Sequence, residues 1–372
     1  MRFAPVSLLL LGAGCRQLIG IDDPAVGADA AIDSEVADAR ACFGKAPFEV
    51  CVTAPFDPYD FAEDVTLGTD KVENCSKAVR WSSTTQPDAC FVVGAMVTIQ
   101  KLRARGSRPL VIVATGTLSV TGLVDVSSST VMQTVGAGAP SALCMPSGQV
   151  PAGSISGSGG GGGGSFGTTG GDGGNGSAGG GGKGAAASAA PMVLRAGCPG
   201  QSGGVQGGAS ATGGAGGGAI YLVAGDRITL GAEAVINASG AGARPATSAG
   251  GGGAGGGSGG MILLYAPIIE PADARLVANG GGGSGGSSIG VANGGGDPST
   301  SSSLPSAAGG SGAGAGGTGG NGGSATVSAQ PGASTGGIGA GGGGGGGGVG
   351  YIVANVLLKG AVVSPPVTVP GP

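Results

Sequence analysis

Long runs of glycine separate the apolar segments of this chain, and they limit its fold more than any other feature. Glycine accounts for 91 of the 372 residues, roughly three times its usual share of about 7%. The runs show no G-X-Y period, because stretches such as Gly159–Gly164 are glycine throughout, and a collagen triple helix is therefore excluded. Glycine and β-branched residues are poor helix formers, so the sequence predicts an all-β fold with loops.

Four apolar segments share one pattern of short β-forming stretches. Each opens with four or five β-forming residues that end near an alanine, a second apolar pair follows, and the first three segments add a third pair. Three short strands separated by tight turns are what one coil of a parallel β-helix requires, and a coil buries its apolar face only by stacking on its neighbours. The segments are Pro109–Ser129, Ala219–Gly240, Met261–Gly281 and Val349–Ser364, and Phe91–Ser107 fits as a further copy.

We therefore predict a right-handed parallel β-helix, a solenoid whose coils are interrupted by glycine-rich insertions at 130–217, 241–259 and 282–348. Insertions that leave a repeat intact map to turns and project from one side or end of the solenoid. Their glycine triplets are compatible with packed polyglycine strands of three residues per turn. Because glycine carries the largest ordering cost of any residue, mobile loops are an equal alternative. The alternative fold is a β-sandwich, in which the same strands pair antiparallel.

The N-terminus has the features of a bacterial export signal. The apolar run Val6–Leu11 is too short to span a bilayer as a helix. The ending Gly12–Cys15 resembles a lipobox, in which the cysteine is lipidated and becomes the new N-terminus. Arg16 stands where an aspartate would resemble an inner-membrane retention signal. We expect an exported protein anchored by lipid at Cys15 to the outer membrane, on its periplasmic face or at the cell surface.

Six cysteines remain once Cys15 is set aside, and an even number in an exported chain indicates disulfides. None of them shows the C-x-x-C spacing that is typical of zinc sites, so we expect no metal. Pairing between sequence neighbours, one of several possible connectivities, would give Cys42–Cys51, Cys75–Cys90 and Cys144–Cys198.

Charge and composition divide the chain into five parts. Of the 21 acidic residues, 14 lie before residue 90, and the stretch after Cys15 is acidic, rich in alanine and without a strong apolar period. Such a stretch is typical of a solvated tether. The five parts are a signal peptide at 1–14, a lipidated acidic flexible tether at 15–41, a disulfide-stapled N-terminal cap at 42–90, the interrupted coils at 91–364 and a proline-rich tail at 365–372.

A short basic stretch is the clearest candidate contact surface. Three of its four cations alternate along a predicted strand, so they share one face. This face could contact a polyanion such as an acidic polysaccharide or lipid headgroups, or it could be a solvated outer face paired with the acidic N-terminal region, which we favour. The residues are Lys101, Arg103, Arg105 and Arg108.

Several features argue against an enzyme. The chain has no histidine, which removes the commonest general base and metal ligand. Glycan cleavage needs two carboxylates held a few ångström apart, yet Asp125 aligns with Asn237 and Ala278, at a position predicted to face outward, so the acid is not repeated from coil to coil. We expect no catalytic residue and no cofactor. The acids on the repeats are scattered at Asp125, Asp226, Glu233, Glu270 and Asp273.

The whole layout resembles uncharacterised glycine-rich bacterial lipoproteins with parallel β-helix-like repeats. The resemblance rests on the lipobox, the segment "IGIDDP", the acidic tether, the paired cysteines and the "VIVATGTLSVTG" type of coil, and it implies no known activity. We expect a non-enzymatic, lipid-anchored surface protein with a structural or adhesive role at the envelope or matrix, with polysaccharide or other surface proteins as partners and no nucleic acid. The alternatives are a β-helix carbohydrate-active enzyme, a polysaccharide lyase or hydrolase, and an ice- or surface-binding protein.

Overall fold

Regular structure in this protein is almost entirely β-strand. The computed structural model contains one 3₁₀ turn, Val72–Asn74, and no α-helix within the residues it describes, so the all-β expectation is confirmed. The predicted signal peptide, Cys15 and nearly all of the tether lie outside the described residues. Described are residues 40–370 except 54, 145–147, 205–210, 302 and 326.

In the described part of the chain, seventeen strands form three sheets. Sheet 1 is antiparallel and contains β1 (Arg40–Phe43), β2 (Val50–Thr53) and β4 (Val79–Trp81). Sheet 2 contains β3 (Tyr59–Gly68), β6 (Val97–Arg105), β8 (Thr117–Asp125), β10 (Arg227–Leu230), β11 (Val235–Asn237), β13 (Ile268–Glu270), β14 (Arg275–Val277) and β16 (Val362–Ser364). Sheet 3 contains β5 (Cys90–Gly94), β7 (Leu110–Ala114), β9 (Ala219–Ala224), β12 (Met261–Tyr265), β15 (Tyr351–Ala354) and β17 (Val367–Thr368).

Every strand pair in sheets 2 and 3 is parallel. From β5 onward the chain runs through a strand of sheet 3, then through one or two strands of sheet 2, and returns to sheet 3 beside the strand it left. Leu110 of β7 faces Ile220 of β9, and Met261 of β12 faces Ala219, so the predicted repeats lie next to one another. The sandwich alternative with antiparallel pairing is therefore wrong for these strands.

Burial explains why the strands of sheet 3 are apolar at consecutive positions. All five residues of β7 and all six of β9 are buried. One face of these strands packs against sheet 2, around Ile112, Leu222 and Leu118, and the other face is covered by sheet 1 and by parts of the glycine-rich segments. A strand buried on both faces has no polar side to alternate with, whereas β6 and β10 of sheet 2 alternate between buried and more exposed residues.

The parallel sheet begins earlier than the sequence analysis placed it. β3 lies inside the predicted N-terminal cap at 42–90, yet it pairs in parallel with β6 over most of its length. In its sequence, YDFAEDVTLG, a register shift between Phe61 and Asp64 interrupts the alternation of apolar and polar residues, which hides the strand pattern. The cap proper is sheet 1, which covers the outer face of sheet 3.

Tyr221 lies at the centre of that covered face. Its ring stacks on Trp81, with centroids 6.2 Å apart and planes 5° from parallel, and its buried hydroxyl has no hydrogen-bond partner among the residues that the structure describes. Burial raises the pKa of the Tyr221 phenol. Burial of a hydroxyl that gains no protein partner costs folding free energy.

We therefore expect Tyr221→Phe to leave the free energy of unfolding unchanged or to raise it by about 1 kcal/mol. The substitution keeps the stacked ring and removes only the unpaired hydroxyl. Denaturant unfolding of the two chains measures the difference. A loss of stability on this substitution would show that the hydroxyl has a partner, and would contradict the packing described here.

The glycine-rich segments are ordered by backbone hydrogen bonds. Successive N–H groups of 341–348 donate to three different neighbours in turn, at N···O distances of 2.8–2.9 Å, and the cycle repeats every third residue. A repeat of three residues per turn is that of a polyproline II helix, which forms no internal hydrogen bonds. Its amides and carbonyls are satisfied by neighbouring helices instead. We call this assembly the glycine bundle. The six neighbours of 341–348 are 158–164, 171–177, 253–259, 281–287, 317–323 and 330–333.

Glycine is required where a helix of this kind is enclosed on all sides. A Cβ at Gly344 would overlap the carbonyl oxygen of Ala254, and one at Gly160 would overlap that of Gly343. The helices can approach this closely only because no side chain stands between them. Of the two interpretations left open for the insertions, packed three-residue-per-turn strands, rather than mobile loops, match the described residues.

The glycine bundle leaves the sheets at one corner. Each of its three portions begins where a strand of sheet 2 ends (β8, β11 or β14) and returns to the next strand of sheet 3. This agrees with the expectation that the insertions project from one side. They begin and end slightly outside the predicted limits, at 126–218, 238–260 and 278–350.

Within residues 40–370, as far as these are described, three disulfides join cysteines that follow one another in the sequence. Cys42–Cys51 connects β1 to β2, Cys75–Cys90 connects the end of the 3₁₀ turn to β5, and Cys144–Cys198 ties a surface loop to the glycine bundle. Disulfides persist in oxidising compartments. The three bonds therefore indicate a protein exported to an oxidising environment.

Candidate functional site

Two cations of the predicted basic face converge on one carboxylate. Lys101 Nζ lies 2.7 Å from Asp64 Oδ2, and Arg103 forms an ion pair with Asp64 Oδ1. The hydrogen bond from Lys101, with the charges of Arg103 and Lys101, lowers the pKa of Asp64 below its ordinary value. Asp64 belongs to β3, next to β6, so the parallel pairing of these strands brings the charges together.

The other two cations also have carboxylate partners. Arg105 Nη2 lies 2.6 Å from Asp125 Oδ2, and Arg108 Nη1 lies 3.6 Å from Asp88 Oδ2. Arg108 Nε additionally donates to the carbonyl oxygen of Thr69 at 2.6 Å. All four cations therefore face acids, and Asp64 and Asp88 belong to the acidic region before residue 90. This arrangement favours the structural interpretation over contact with a polyanion.

Asp125 is buried rather than outward and exposed, which corrects the sequence analysis. Its Oδ1 accepts hydrogen bonds from Ser127 Oγ at 2.6 Å and from Asn237 Nδ2 at 3.3 Å, and its side chain is only 6% exposed. In the parallel register Asp125 faces Asn237, which faces Val277 and not Ala278. The glycine bundle leaves the sheets at this corner, and Asp125 and Asn237 form a buried polar pair there instead of a solvent-facing row.

The other acids on the repeats do not gather at one place. Glu270 forms an ion pair with Arg227 on the neighbouring strand. Asp226 lies in the turn between β9 and β10, Glu233 in the turn before β11, and Asp273 in the turn before β14. Asp226 therefore lies at the turn from sheet 3 to sheet 2, whereas Glu233 and Asp273 lie at a different corner, in equivalent turns of neighbouring coils.

A cleft of about 450 Å³ opens beside β5. Sheet 2 extends one strand further than sheet 3 at this end, because β3 continues sheet 2 whereas β5 is the last strand of sheet 3. The missing strand leaves a space between β3, the 3₁₀ turn and β5. Aromatic and polar side chains line it: Phe56, Tyr59, Phe91, Thr66, Glu73, Asn74 and Ser76.

Tyr59 is the most accessible aromatic residue of this cleft. Its side chain is 42% exposed, and its ring packs on that of Phe61 with centroids 4.8 Å apart. An exposed ring held on a buried one offers a fixed flat surface, and the neighbouring Asn74 and Ser76 supply polar groups. Rings next to hydrogen-bonding groups suit a ligand with one apolar face and several hydroxyls. The sequence analysis did not identify this cleft.

A second feature that the sequence did not reveal joins the glycine bundle to sheet 3. The guanidinium of Arg195 lies 4.4 Å from the centre of the Phe166 ring, and that ring meets Tyr351 edge to face at 5.1 Å. Tyr351 donates a hydrogen bond of 2.6 Å from its hydroxyl to the carbonyl oxygen of Ser188. Burial lowers the pKa of Arg195. This cluster fixes the base of the glycine bundle against β15.

One group of possible metal ligands occurs among the described residues. A ligand atom from each of Cys42, Glu49 and Cys51 lies within 4.8 Å of the others. Cys42 and Cys51 are bonded to each other, so their sulfurs are not thiolates and cannot serve as zinc ligands.

The far end of the glycine bundle is built from short turns. Its polyproline II segments are about ten residues long, which corresponds to about 30 Å at ~3.1 Å per residue. Glycines with positive φ lie at the turns furthest from the sheets, for example Gly157 (φ 112°), Gly250 (φ 73°) and Gly339 (φ 69°). The glycine bundle thus holds a set of loops at a distance from the β-sheets.

Within the described residues, no helix is both long and apolar enough to cross a membrane. No protein-family model, curated protein or solved structure matches the chain.

Proposed function

We propose that this protein is a non-enzymatic, lipid-anchored protein of the bacterial envelope with a structural or adhesive role. In this proposal the alternation of the chain between sheets 2 and 3 closes into a right-handed parallel β-helix. The glycine bundle projects from one corner of that helix, and residues 15–41 form the tether to the outer membrane.

The observation that carries the proposal is the construction of the glycine bundle. Four of its segments, 158–164, 251–260, 279–287 and 341–349, are each hydrogen-bonded to neighbours on all sides. Such a bundle has a dense network of backbone hydrogen bonds and few side chains with which to do chemistry. It therefore suits a rigid support that presents its end loops to another surface.

The lipid anchor is tested by metabolic labelling. A host that processes lipoproteins is fed a radioactive fatty acid while it expresses the full chain or its Cys15→Ala variant. We expect label in the wild-type chain and none in the variant, because only a cysteine at this position carries the thioether. Equal incorporation in the two chains would overturn the anchor.

The adhesive role is tested with the same two chains. Host cells that export the wild-type chain should be retained several-fold better on glass and on layers of other bacteria than cells that export Cys15→Ala, because the variant leaves the cell surface. Equal retention of cells that both export the folded protein would contradict an adhesive role.

The cleft beside β5 supports a second candidate function, the binding of a neutral glycan. Among the described residues that line this cleft, Glu73 is the one carboxylate, whereas glycoside hydrolysis uses two, so binding is the activity we propose there. In a glycan screen, Tyr59→Ala should abolish the binding that wild type shows, while Ile268→Ala, which removes a side chain exposed to a similar degree (45%) elsewhere, should not. Identical profiles for wild type and Tyr59→Ala would exclude this site.

A further inference from the structure

Large aliphatic side chains project into solvent from the far end of the glycine bundle. Ile338 is 99% exposed, Ile155 is 79% exposed, and Ile289 and Val291 are 66% and 63% exposed. Single exposed aliphatic residues are common on protein surfaces. Here, however, four exposed aliphatic side chains lie on the end turns of one bundle, and one of them is almost fully exposed. Such a group requires an explanation.

The turns that carry these residues lie side by side. A Cβ placed on Gly250 would be 3.2 Å from the carbonyl oxygen of Ile155 and 3.6 Å from that of Gly339. Gly250 N donates to Ser287 O at 3.0 Å, and Gly341 N donates to the same oxygen at 2.9 Å. The turns 153–157, 288–292 and 336–340 therefore meet at one end. We call these three turns the tip.

The tip contains no charged residue. Its sequences are GSISG, SIGVA and GGIGA, so glycine, alanine and serine surround the four aliphatic side chains. Burial of these side chains in an apolar medium would require no charge to be desolvated. The tip also lacks Trp, Tyr and Arg, the residues that dominate binding energy at protein–protein interfaces.

We infer that the tip inserts its four aliphatic side chains into the surface of an uncharged lipid bilayer. This inference rests on the proposed adhesive function and names the surface to which the glycine bundle attaches. Insertion needs only apolar side chains that reach beyond the backbone, and it requires no complementary shape. Because the tip is uncharged, binding should be indifferent to anionic lipid and to salt.

A second copy of the chain fits the tip less well. Four aliphatic side chains of about 100 Å² each cover roughly 400 Å², which is half of the ~800 Å² per partner typical of a stable interface. Binding to a protein receptor usually depends on aromatic or arginine side chains at the centre of the interface. The tip does not provide such side chains.

The test uses the full chain with Cys15→Ala in every sample, so that no lipid can be attached at that position. Vesicles are made of phosphatidylcholine, with and without phosphatidylglycerol, and bound protein is measured by flotation at low and high salt. We expect equal binding under all four conditions. Combined Ile155→Ser, Ile289→Ser, Val291→Ser and Ile338→Ser should lower the vesicle partition coefficient at least about 100-fold.

The matched control replaces exposed aliphatic residues outside the tip. Val131 and Met132 are 85% and 53% exposed, and Val131→Ser with Met132→Ser should leave vesicle binding unchanged. An independent readout is Ile338→Trp, whose fluorescence should shift to the blue with vesicles and be quenched by brominated acyl chains. Absence of wild-type binding, equal binding by the tip variant, or binding that requires anionic lipid would overturn the inference.

Failure of this inference can be told apart from failure of the proposed function. If the chain binds no vesicle while cells that display it are still retained on surfaces, the lipid surface is wrong and adhesion stands. If that retention also depends on the tip residues, a protein receptor replaces the bilayer. If sedimentation shows a dimer that the tip variant loses, the tip joins two copies. Loss of both vesicle binding and cell retention overturns both proposals.

Discussion

Gly344→Ala is expected to lower the free energy of unfolding by about 3 kcal/mol or more. The added methyl group would overlap the carbonyl oxygen of Ala254, and that oxygen belongs to a neighbouring helix which is itself enclosed. Neither backbone can move away without breaking its own hydrogen bonds. Denaturant unfolding of the wild-type and variant chains measures the loss.

Gly336→Ala is the matched control for this prediction. Gly336 belongs to the same glycine-rich portion of the chain, but a Cβ there would have no atom within 4 Å. We expect the free energy of unfolding of the Gly336→Ala chain to stay within about 0.5 kcal/mol of the wild-type value, or to rise slightly because alanine restricts the unfolded chain. If both substitutions were equally mild, the glycine at 344 would not be enclosed and the packing would be wrong.

Removal of the Cys144–Cys198 disulfide is expected to cost about 4 kcal/mol. The bond spans a sequence separation of 54, so it removes much of the freedom of the unfolded chain, and it holds a loop against the glycine bundle. The double variant Cys144→Ser with Cys198→Ser avoids leaving one free thiol. Equilibrium unfolding under non-reducing conditions provides the measurement.

The Cys42–Cys51 disulfide provides the comparison, because its sequence separation is only 9. Chain entropy assigns the shorter loop a loss of about 2.5 kcal/mol, roughly 1.5 kcal/mol less than for the longer one. A larger loss for Cys42→Ser with Cys51→Ser would contradict this order, and would indicate that sheet 1 depends on its disulfide more than the glycine bundle does.

The repeats could be predicted from the sequence because their signal is local. Consecutive apolar β-formers such as LVIVA and AIYLVA indicate strands covered on both faces. The register in which Ala114 faces Ala224 follows from aligning these segments. The alignment was wrong by one residue at Ala278, because β13 has three residues where β10 has four, while the turns that follow these strands are equal in length.

The order of the glycine-rich segments could not be predicted in the same way, because each depends on partners far away in the chain. The N–H of Gly345 donates to the carbonyl oxygen of Gly161, and the N–H of Gly171 donates to that of Gly346. No local sequence pattern predicts such pairs. One signal was nevertheless present. Unbroken glycine marks enclosed segments, whereas GGX triplets mark outer ones, whose third residues, such as Asn175 and Thr318, are exposed.

The candidate sites were harder to predict than the fold. The alternation of cations on β6 was visible in the sequence, but their partner Asp64 lies on a strand whose pattern is broken by a register shift. The cleft beside β5 arises from the absence of one strand, which depends on how many strands each sheet contains. The tip depends on which turns meet at the end of the glycine bundle. The isoleucines are isolated in the sequence, so their position next to one another could not be predicted from it.

The central claim is that the glycine-rich segments form an ordered, hydrogen-bonded bundle, and amide hydrogen exchange tests it most directly. In a chain labelled with ¹⁵N-glycine, the amides of 341–348 should exchange at least about a thousandfold more slowly than unstructured glycine amides, because they open only with much of the fold. Gly336 and Gly290, in the end turns, should exchange fast. Rapid exchange throughout 341–348 would show that these segments are mobile loops, and would contradict the account.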